Sequence, residues 1–353
     1  MKKTILIIGI LTVALSLSAC GGGGGGGGGD APYPPITSSL PPATETTTPT
    51  SSGPQNTDYD ITLLGSFAGN SFAVAINDAT QVTGNYTDQS GRINAFLWDS
   101  DRVSLVVSGG QAAQINNHGE VVGWMEPNGH PEAYVYEGAG QVVRLNTIGG
   151  SSQALAINDS GQTAGRISNG GEMAFVEAIG EMRLIAPELD GYAIAMNNVG
   201  QVLIKQIVGD GFRTLLWHNG TLTDLGSLGG RETQGRAIND AGQVVGWSQT
   251  AAGQYHAFLW ENGTMIDLAP VVGEFSAAVA INNQGQILLK ATDILESRNF
   301  LYENGEVTDL GNFGASYAVG NDLNNRGEIV GWMSTESGVI RAFLAQPKTG
   351  GDR

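Results

Sequence analysis

The sequence predicts an all-β fold, a seven-bladed β-propeller of four-stranded antiparallel blades, and three observations carry that prediction. The first is a repeat. An Asn followed by a turn and an apolar run recurs at Asn77, Asn116, Asn158, Asn197, Asn239, Asn282 and Asn324, in steps of 39, 42, 39, 42, 43 and 42 residues. A fixed period of this size marks a series of equal supersecondary units. The second is that each unit holds four strand signals joined in pairs by tight turns. The third is the phase of the two ends. The last unit stops at Arg341-Ala342-Phe343-Leu344 with no fourth strand, whereas Asp60-Ile61-Thr62-Leu63-Leu64-Gly65 reads as a fourth strand with no unit before it. The N-terminal strand is expected to complete the last blade, and closure removes the edges that an open stack would expose.

In chain order, residues 1–19 come first. Lys2 and Lys3 precede an apolar run over 5–13, which has the form of an export signal and is too short for a spanning helix. The segment ends in Leu17-Ser18-Ala19-Cys20. It resembles the bacterial lipobox, and that resemblance implies cleavage before Cys20 and a diacylglycerol on its thiol. Gly21 stands where lipoproteins kept at the inner membrane often carry Asp, so the expected location is the outer membrane, on its periplasmic or cell-surface side. Attachment would then be insertion of acyl chains, about 0.8 kcal/mol per CH₂. Cys20 is the sole cysteine, which excludes an internal disulfide. Residues 21–29 are all glycine, and 30–57 are rich in Pro, Thr and Ser, with seven of the twelve prolines. From Cys20 to Asp58 the chain has too few apolar groups to pack and reads as a tether, about 35 Å long as coil and about 100 Å drawn out.

The repeats fill 59–347, with a short tail at 348–353. In the fifth unit the strand signals are Arg236-Ala237-Ile238, Gln243-Val244-Val245-Gly246-Trp247, His256-Ala257-Phe258-Leu259-Trp260 and Thr264-Met265-Ile266-Asp267-Leu268. Asn239-Asp240-Ala241-Gly242 joins the first pair, with Asn capping the turn and Gly supplying φ > 0, and Asn262-Gly263 is a hairpin signal for the second pair. Long connectors suit the passage from the rim of one blade to the centre of the next. The Ala-x-Ala-Ile strand is therefore expected innermost, where small residues fit. The Leu228-Gly229-Gly230 connector, read as a turn, and the loop after Ser248 fall on one face of the ring, and the tight turns on the other.

His256-Ala257-Phe258-Leu259-Trp260, with Ala237-Ile238-Asn239 and Asp224-Leu225-Gly226 upstream, resembles the HAF-family extracellular repeat of bacteria, over about residues 60–344. The resemblance implies an exported repeat protein and no particular activity. The fourth and sixth units depart from the pattern, with Ile204 and Leu289 in place of Gly246, and Thr80 replaces the turn glycine of the first unit. Strain or altered packing is expected there.

Chemistry is sparsely signalled. Lys+Arg 17 against Asp+Glu 34 leaves a formal charge of -17, which repels nucleic acid, whose binding normally needs a basic patch on the protein, so no nucleic-acid partner is expected. His118, His130, His218 and His256 show no local zinc-ligand spacing, and the Asn-Asp turns lack the closing Glu of a calcium loop, so no metal and no cofactor is expected. No nucleophile elbow or phosphate-gripping loop occurs. Two columns of the repeat remain. The end of the second strand reads Asn85, Trp124, Arg166, Lys205, Trp247, Lys290, Trp332, and the start of the third reads Asn94, Glu132, Met173, Arg213, His256, Arg298, Arg341. Aligned as neighbours across a loop, they predict cationic pairs Lys205/Arg213 and Lys290/Arg298 and a cation–π contact of Trp332 with Arg341. Aromatic and guanidinium groups so placed suit a sugar or an acidic ligand. The competing reading is that Trp fills the gap between blades while Lys and Arg extend past it. The expectation is a monomeric, membrane-tethered binding module for a protein or polysaccharide. The alternatives are a polysaccharide hydrolase or lyase with carboxylates at the channel mouth, and a structural envelope component.

Overall fold

A computed structural model of the chain describes residues 58–145, 149–273, 275–292 and 297–348. The export signal, Cys20 and the tether lie outside the described residues. The rest is a seven-bladed propeller of four-stranded antiparallel sheets. Six blades are continuous in sequence: blade 1 (71–108), blade 2 (110–144), blade 3 (151–185), blade 4 (191–224), blade 5 (229–267) and blade 6 (276–311). Blade 7 takes three strands from 318–347 and its outer strand, Tyr59–Leu63, from the other end of the chain. Ile61 lies opposite Ala345 and Leu63 opposite Phe343. The ring is closed as its two ends predicted.

The first strand of each blade contacts the first strands of both neighbours, so these seven form the channel wall. Each has a bulge at the same level, between Ala73 and Ala75, Ala112 and Gln114, Ala154 and Ala156, Ala193 and Ala195, Gly235 and Ala237, Ala278 and Ala280, and Gly320 and Asp322. The extra residue leaves the ladder, and all seven such residues keep partial exposure at the wall. Apolar packing is divided among seven clusters, one between each pair of neighbouring blades. Leu64, Phe67 and Phe96 meet Val330 and Leu344 across the blade 7–blade 1 seam in one of them.

Five blades carry Gly two or three residues into the second strand. A Cβ there would lie 2.0 Å from the Gln234 carbonyl at Gly246, and 1.9 Å from that of Val319 at Gly331. Ile204 and Leu289 occupy this position in blades 4 and 6, fully buried, and their Cβ atoms forbid so close an approach. Thr80 keeps the turn conformation of the glycine it replaces, at φ 63. Its hydroxyl donates to Glu328 (2.8 Å) and accepts from Arg326 (3.1 Å) across the seam, which offsets the strain.

One connector differs from expectation. Gly229 and Gly230 do not form a turn but begin a ten-residue inner strand, Gly229–Ile238. Gly229 pairs with Thr250, and the Arg231 amide donates to the Gln249 side chain, so the hairpin of blade 5 runs on past the ring's edge.

Candidate binding site in the central channel

The channel has two unlike ends. At the tight-turn end the seven anchor asparagines form a closed ring, each side-chain amide donating to the backbone carbonyl of the next anchor. The bonds run from Asn77 to Asn116 (2.9 Å) and on through Asn158, Asn197, Asn239, Asn282 and Asn324, which returns to Asn77 (3.0 Å). The residues that follow make a second ring, in which each amide N–H donates to the next side-chain oxygen. Their order is Asp78, Asn117, Asp159, Asn198, Asp240, Asn283, Asn325. Every aspartate sits between two asparagines and accepts from both. A ring of seven cannot alternate throughout, and the single like pair is the neutral one, Asn283 beside Asn325. The mouth is a polar cavity of about 160 Å³. Below it Asp322 is half-buried, its carboxylate accepting from the Ile76 amide across the seam (3.0 Å), and desolvation pushes its pKa up to about 6.

At the loop-bearing end the two predicted columns do not face each other. Ser248, not Trp247, lies opposite His256; Gln206, not Lys205, lies opposite Arg213; Ala291, not Lys290, lies opposite Arg298; Met333, not Trp332, lies opposite Arg341. The offset is one residue. Side chains alternate along a strand, so the two columns project from opposite faces of the same sheet, and the predicted Lys–Arg pairs and the Trp332–Arg341 contact do not form.

The third-strand column turns outward to its own blade's last strand. Arg213 meets Asp224 (3.4 Å), His256 meets Asp267 (2.8 Å) and Arg298 meets Asp309 (2.9 Å). The second oxygen of each aspartate accepts from the backbone amide two residues on. Glu132 and Arg144 make the same contact with the charges exchanged, at 3.2 Å, and Arg341 reaches the Gly69 carbonyl. The contacts of Arg213, His256, Arg298 and Glu132 tie down the outer strands of their blades. The signal for them was present as the eleven-residue spacing between the Arg or His and the Asp of Asp-Leu.

The second-strand column turns inward, to the inner strand of the next blade. Asn85 exchanges two hydrogen bonds with Ala112, Arg166 lies over the Tyr192 ring (5.4 Å), Lys290 donates to Asn321 (3.5 Å), and Trp332 packs edge-on against Phe72 (5.8 Å). Lys205 stands over the Phe212 ring at 3.9 Å, and Trp247 packs against Phe212 and Tyr255. Trp124 is half-buried in the same position.

The residue that joins this column into a site is Arg236, which the sequence reading passed over. It is the bulged residue of blade 5, where the other blades have Val74, Ala113, Leu155, Ile194, Val279 and Asn321. An arginine in an otherwise uncharged column was the available signal. Its guanidinium is shielded by protein apart from the channel, so burial lowers its pKa, opposed by the nearby Tyr192. Burial, and secondly Arg236, push the Lys290 pKa down to about 7. Lys205 is lowered by burial first and Arg236 second, with Glu232 opposing. Glu232 is itself held by the Tyr255 hydroxyl (3.1 Å). Arg236 thus lies within electrostatic reach of both lysines, one from blade 4 and one from blade 6. Among the described residues, the Arg236 Nε and the Trp247 Nε1 are buried with no hydrogen-bond partner. No group of three or more potential metal-ligating side chains occurs among the described residues.

No protein-family model and no curated protein matches the sequence. Solved structures do. The propeller domain of the Trilobed protease from Pyrococcus furiosus, described as having an open velcro topology, superposes with a TM-score of 0.57 at 7% identity, covering 80% of this chain and 99% of that one. A puromycin-hydrolyzing peptidase of Mycobacterium tuberculosis gives 0.59 at 11% identity over 80% of this chain, which spans only 51% of the peptidase. YCF48, in a structure with a D1 peptide, gives 0.53 at 9% identity over 86% of this chain and 98% of that one. At these identities the likeness is one of fold.

Proposed function

We propose that the chain is a lipid-anchored HAF-type repeat protein of the outer membrane, and that its propeller is a binding module for a polysaccharide or protein at the cell surface. The ligand is received at the loop-bearing mouth of the channel. The observation that carries this reading is the convergence of Lys205, Arg236 and Lys290, bordered by half-exposed aromatic rings, in a chain of net charge -17. Isolated cations in so acidic a chain are ordinarily neutralised by a neighbour, as Arg213 and Arg298 are. A rigid ring with variable loops is a common platform for ligands, a matter of analogy rather than fold. The propeller solved with a D1 peptide illustrates one use of such a ring. Near the start of the described residues, Tyr59–Leu63 runs at the rim as the outer strand of blade 7.

The test is retention of the full chain on immobilised glycans and surface proteins. The expected result is retention without product, lost on combining Lys205→Ala with Lys290→Met. Released oligosaccharide would replace this reading with a hydrolase or lyase. No retention, with the substitutions altering only the melting temperature, would leave a structural component. Anchoring is checked separately, since Cys20→Ala should move the protein from the membrane to the soluble fraction.

A further inference from the structure

Three positive charges drawn into one channel are unfavourable together. Burial lowers the pKa of each, and Arg236 lowers both lysines further. A protein loses stability by such an arrangement unless an anion completes it. No acidic side chain forms an ion pair with Arg236 or Lys290 among the described residues, and the Arg236 Nε and Trp247 Nε1 remain buried donors without acceptors. Of the acids that act on the cluster, Glu232 is held by Tyr255, and Glu172 is held through one oxygen by Arg166 (3.7 Å) and Ser168 while its Oε2 is a buried acceptor without a donor.

We propose that Arg236, Lys290 and Lys205 form a carboxylate subsite, which takes the acid group of a uronic-acid residue in a glycan bound at the loop-bearing mouth. This rests on the binding-module reading and names its ligand chemistry. A guanidinium offers a planar fork that matches a carboxylate, and the ammonium groups add charge from two sides. The surroundings favour a sugar over an acidic peptide. Tyr192, Phe212, Trp247 and Tyr255 border the cluster with partly exposed rings, surfaces on which a pyranose can lie. A peptide commonly binds by adding to a strand edge. Here the inner strands facing the channel already spend backbone groups on side chains, Ala112 on Asn85 and Ala73 on Asn321. Protonation follows from the same geometry. Among the described residues the groups shown to act on Lys290 are Arg236 and Asn321, neither of which can neutralise its charge in place of an anion, so the lysine is charged below about pH 7 and neutral above it. A carboxylate should bind more tightly at pH 6 than at pH 8.5.

The experiment measures affinity of the full chain for polygalacturonate, for the same polymer methyl-esterified, for polyglutamate and for inorganic phosphate. The acid polymer should bind at least about tenfold more tightly than its ester, and Arg236→Met and Lys290→Met should each weaken it at least about tenfold. Circular dichroism melting confirms that the variants fold. Lys290→Met should also remove the weakening between pH 6 and 8.5. Equal binding of acid and ester, or wild-type binding by the folded variants, overturns the proposal. Tighter binding of polyglutamate or phosphate with the same variant dependence overturns the uronate assignment. If the chain retains a neutral glycan or a protein but no uronate, the binding-module reading stands and this one falls. If it retains nothing, both fall.

Discussion

The two ends of the channel handle charge in opposite ways. At the tight-turn end, Asp78, Asp159 and Asp240 are spaced by asparagines that donate to them from both sides, and the anchor asparagines repeat one contact seven times. At the loop end, Lys205, Arg236 and Lys290 crowd into one sector, and buried donors remain unmet. The first arrangement is self-sufficient: every polar group has a partner within the fold, and removing one should cost stability. The second is incomplete by itself, and removing one of its charges should relieve the fold while harming whatever it binds. A residue kept against its own stability cost is a marker of function.

Substitutions at the two ends should therefore have opposite signs. The largest effect is expected for Asn239→Leu, which removes the donor to Asn282 and Gln243 and the acceptor for the Gln243 amide. Three bonds, one buried and two part-buried, at about 1 kcal/mol each, plus carbonyls left without donors, predict a loss of about 3–5 kcal/mol in chemical denaturation. Arg236→Met should do the reverse, raising the melting temperature by the equivalent of about 1–3 kcal/mol, because a desolvated charge is replaced by an apolar group of similar length. A loss of stability would mean that the guanidinium is structural.

Lys290 sharpens the contrast through pH. Its folded pKa, about 7, lies below the unfolded value of 10.5. Between these values the unfolded chain binds more protons, so wild-type stability should rise as pH rises from 7 to 10, and Lys290→Met should flatten that slope. Titration of melting temperature against pH reads both. Next in size is Asn117→Asp, which sets a third carboxylate between Asp78 and Asp159 and removes the amide that bridges them. It should cost about 1–2 kcal/mol at neutral pH. Repulsion raises carboxylate pKa values in the folded state, so the cost should vanish as pH falls through about 4. The smallest change is Arg213→Ala, at most about 0.5 kcal/mol, since both partners of its ion pair with Asp224 are largely exposed.

Much of the fold could be read from the chain because a repeat states its own period. The anchors, the Asn-Gly turns at Asn219, Asn262 and Asn304 with φ near 50, and the unmatched strands at either end are local facts, and each kept its meaning in the ring. The site was less legible. Aligning the second- and third-strand columns placed Lys205 and Arg213 together, yet a shift of one residue in register sent them to opposite faces of blade 4. The pairing of His256 with Asp267 and the alternation from Asp78 to Asn325 are written in the sequence as spacings, but a spacing acquires a partner only when strands are laid side by side.

By itself the sequence determined the number of blades, the position of the closing strand, and the tight turns at one end of the channel. These follow from residues near one another in the chain, where backbone preference and hydrophobic period decide. Tertiary structure alone decided which charges meet. Arg236, Lys205 and Lys290 belong to three different blades, and only closing the ring brings them to one space where water is scarce and like charges cannot be screened.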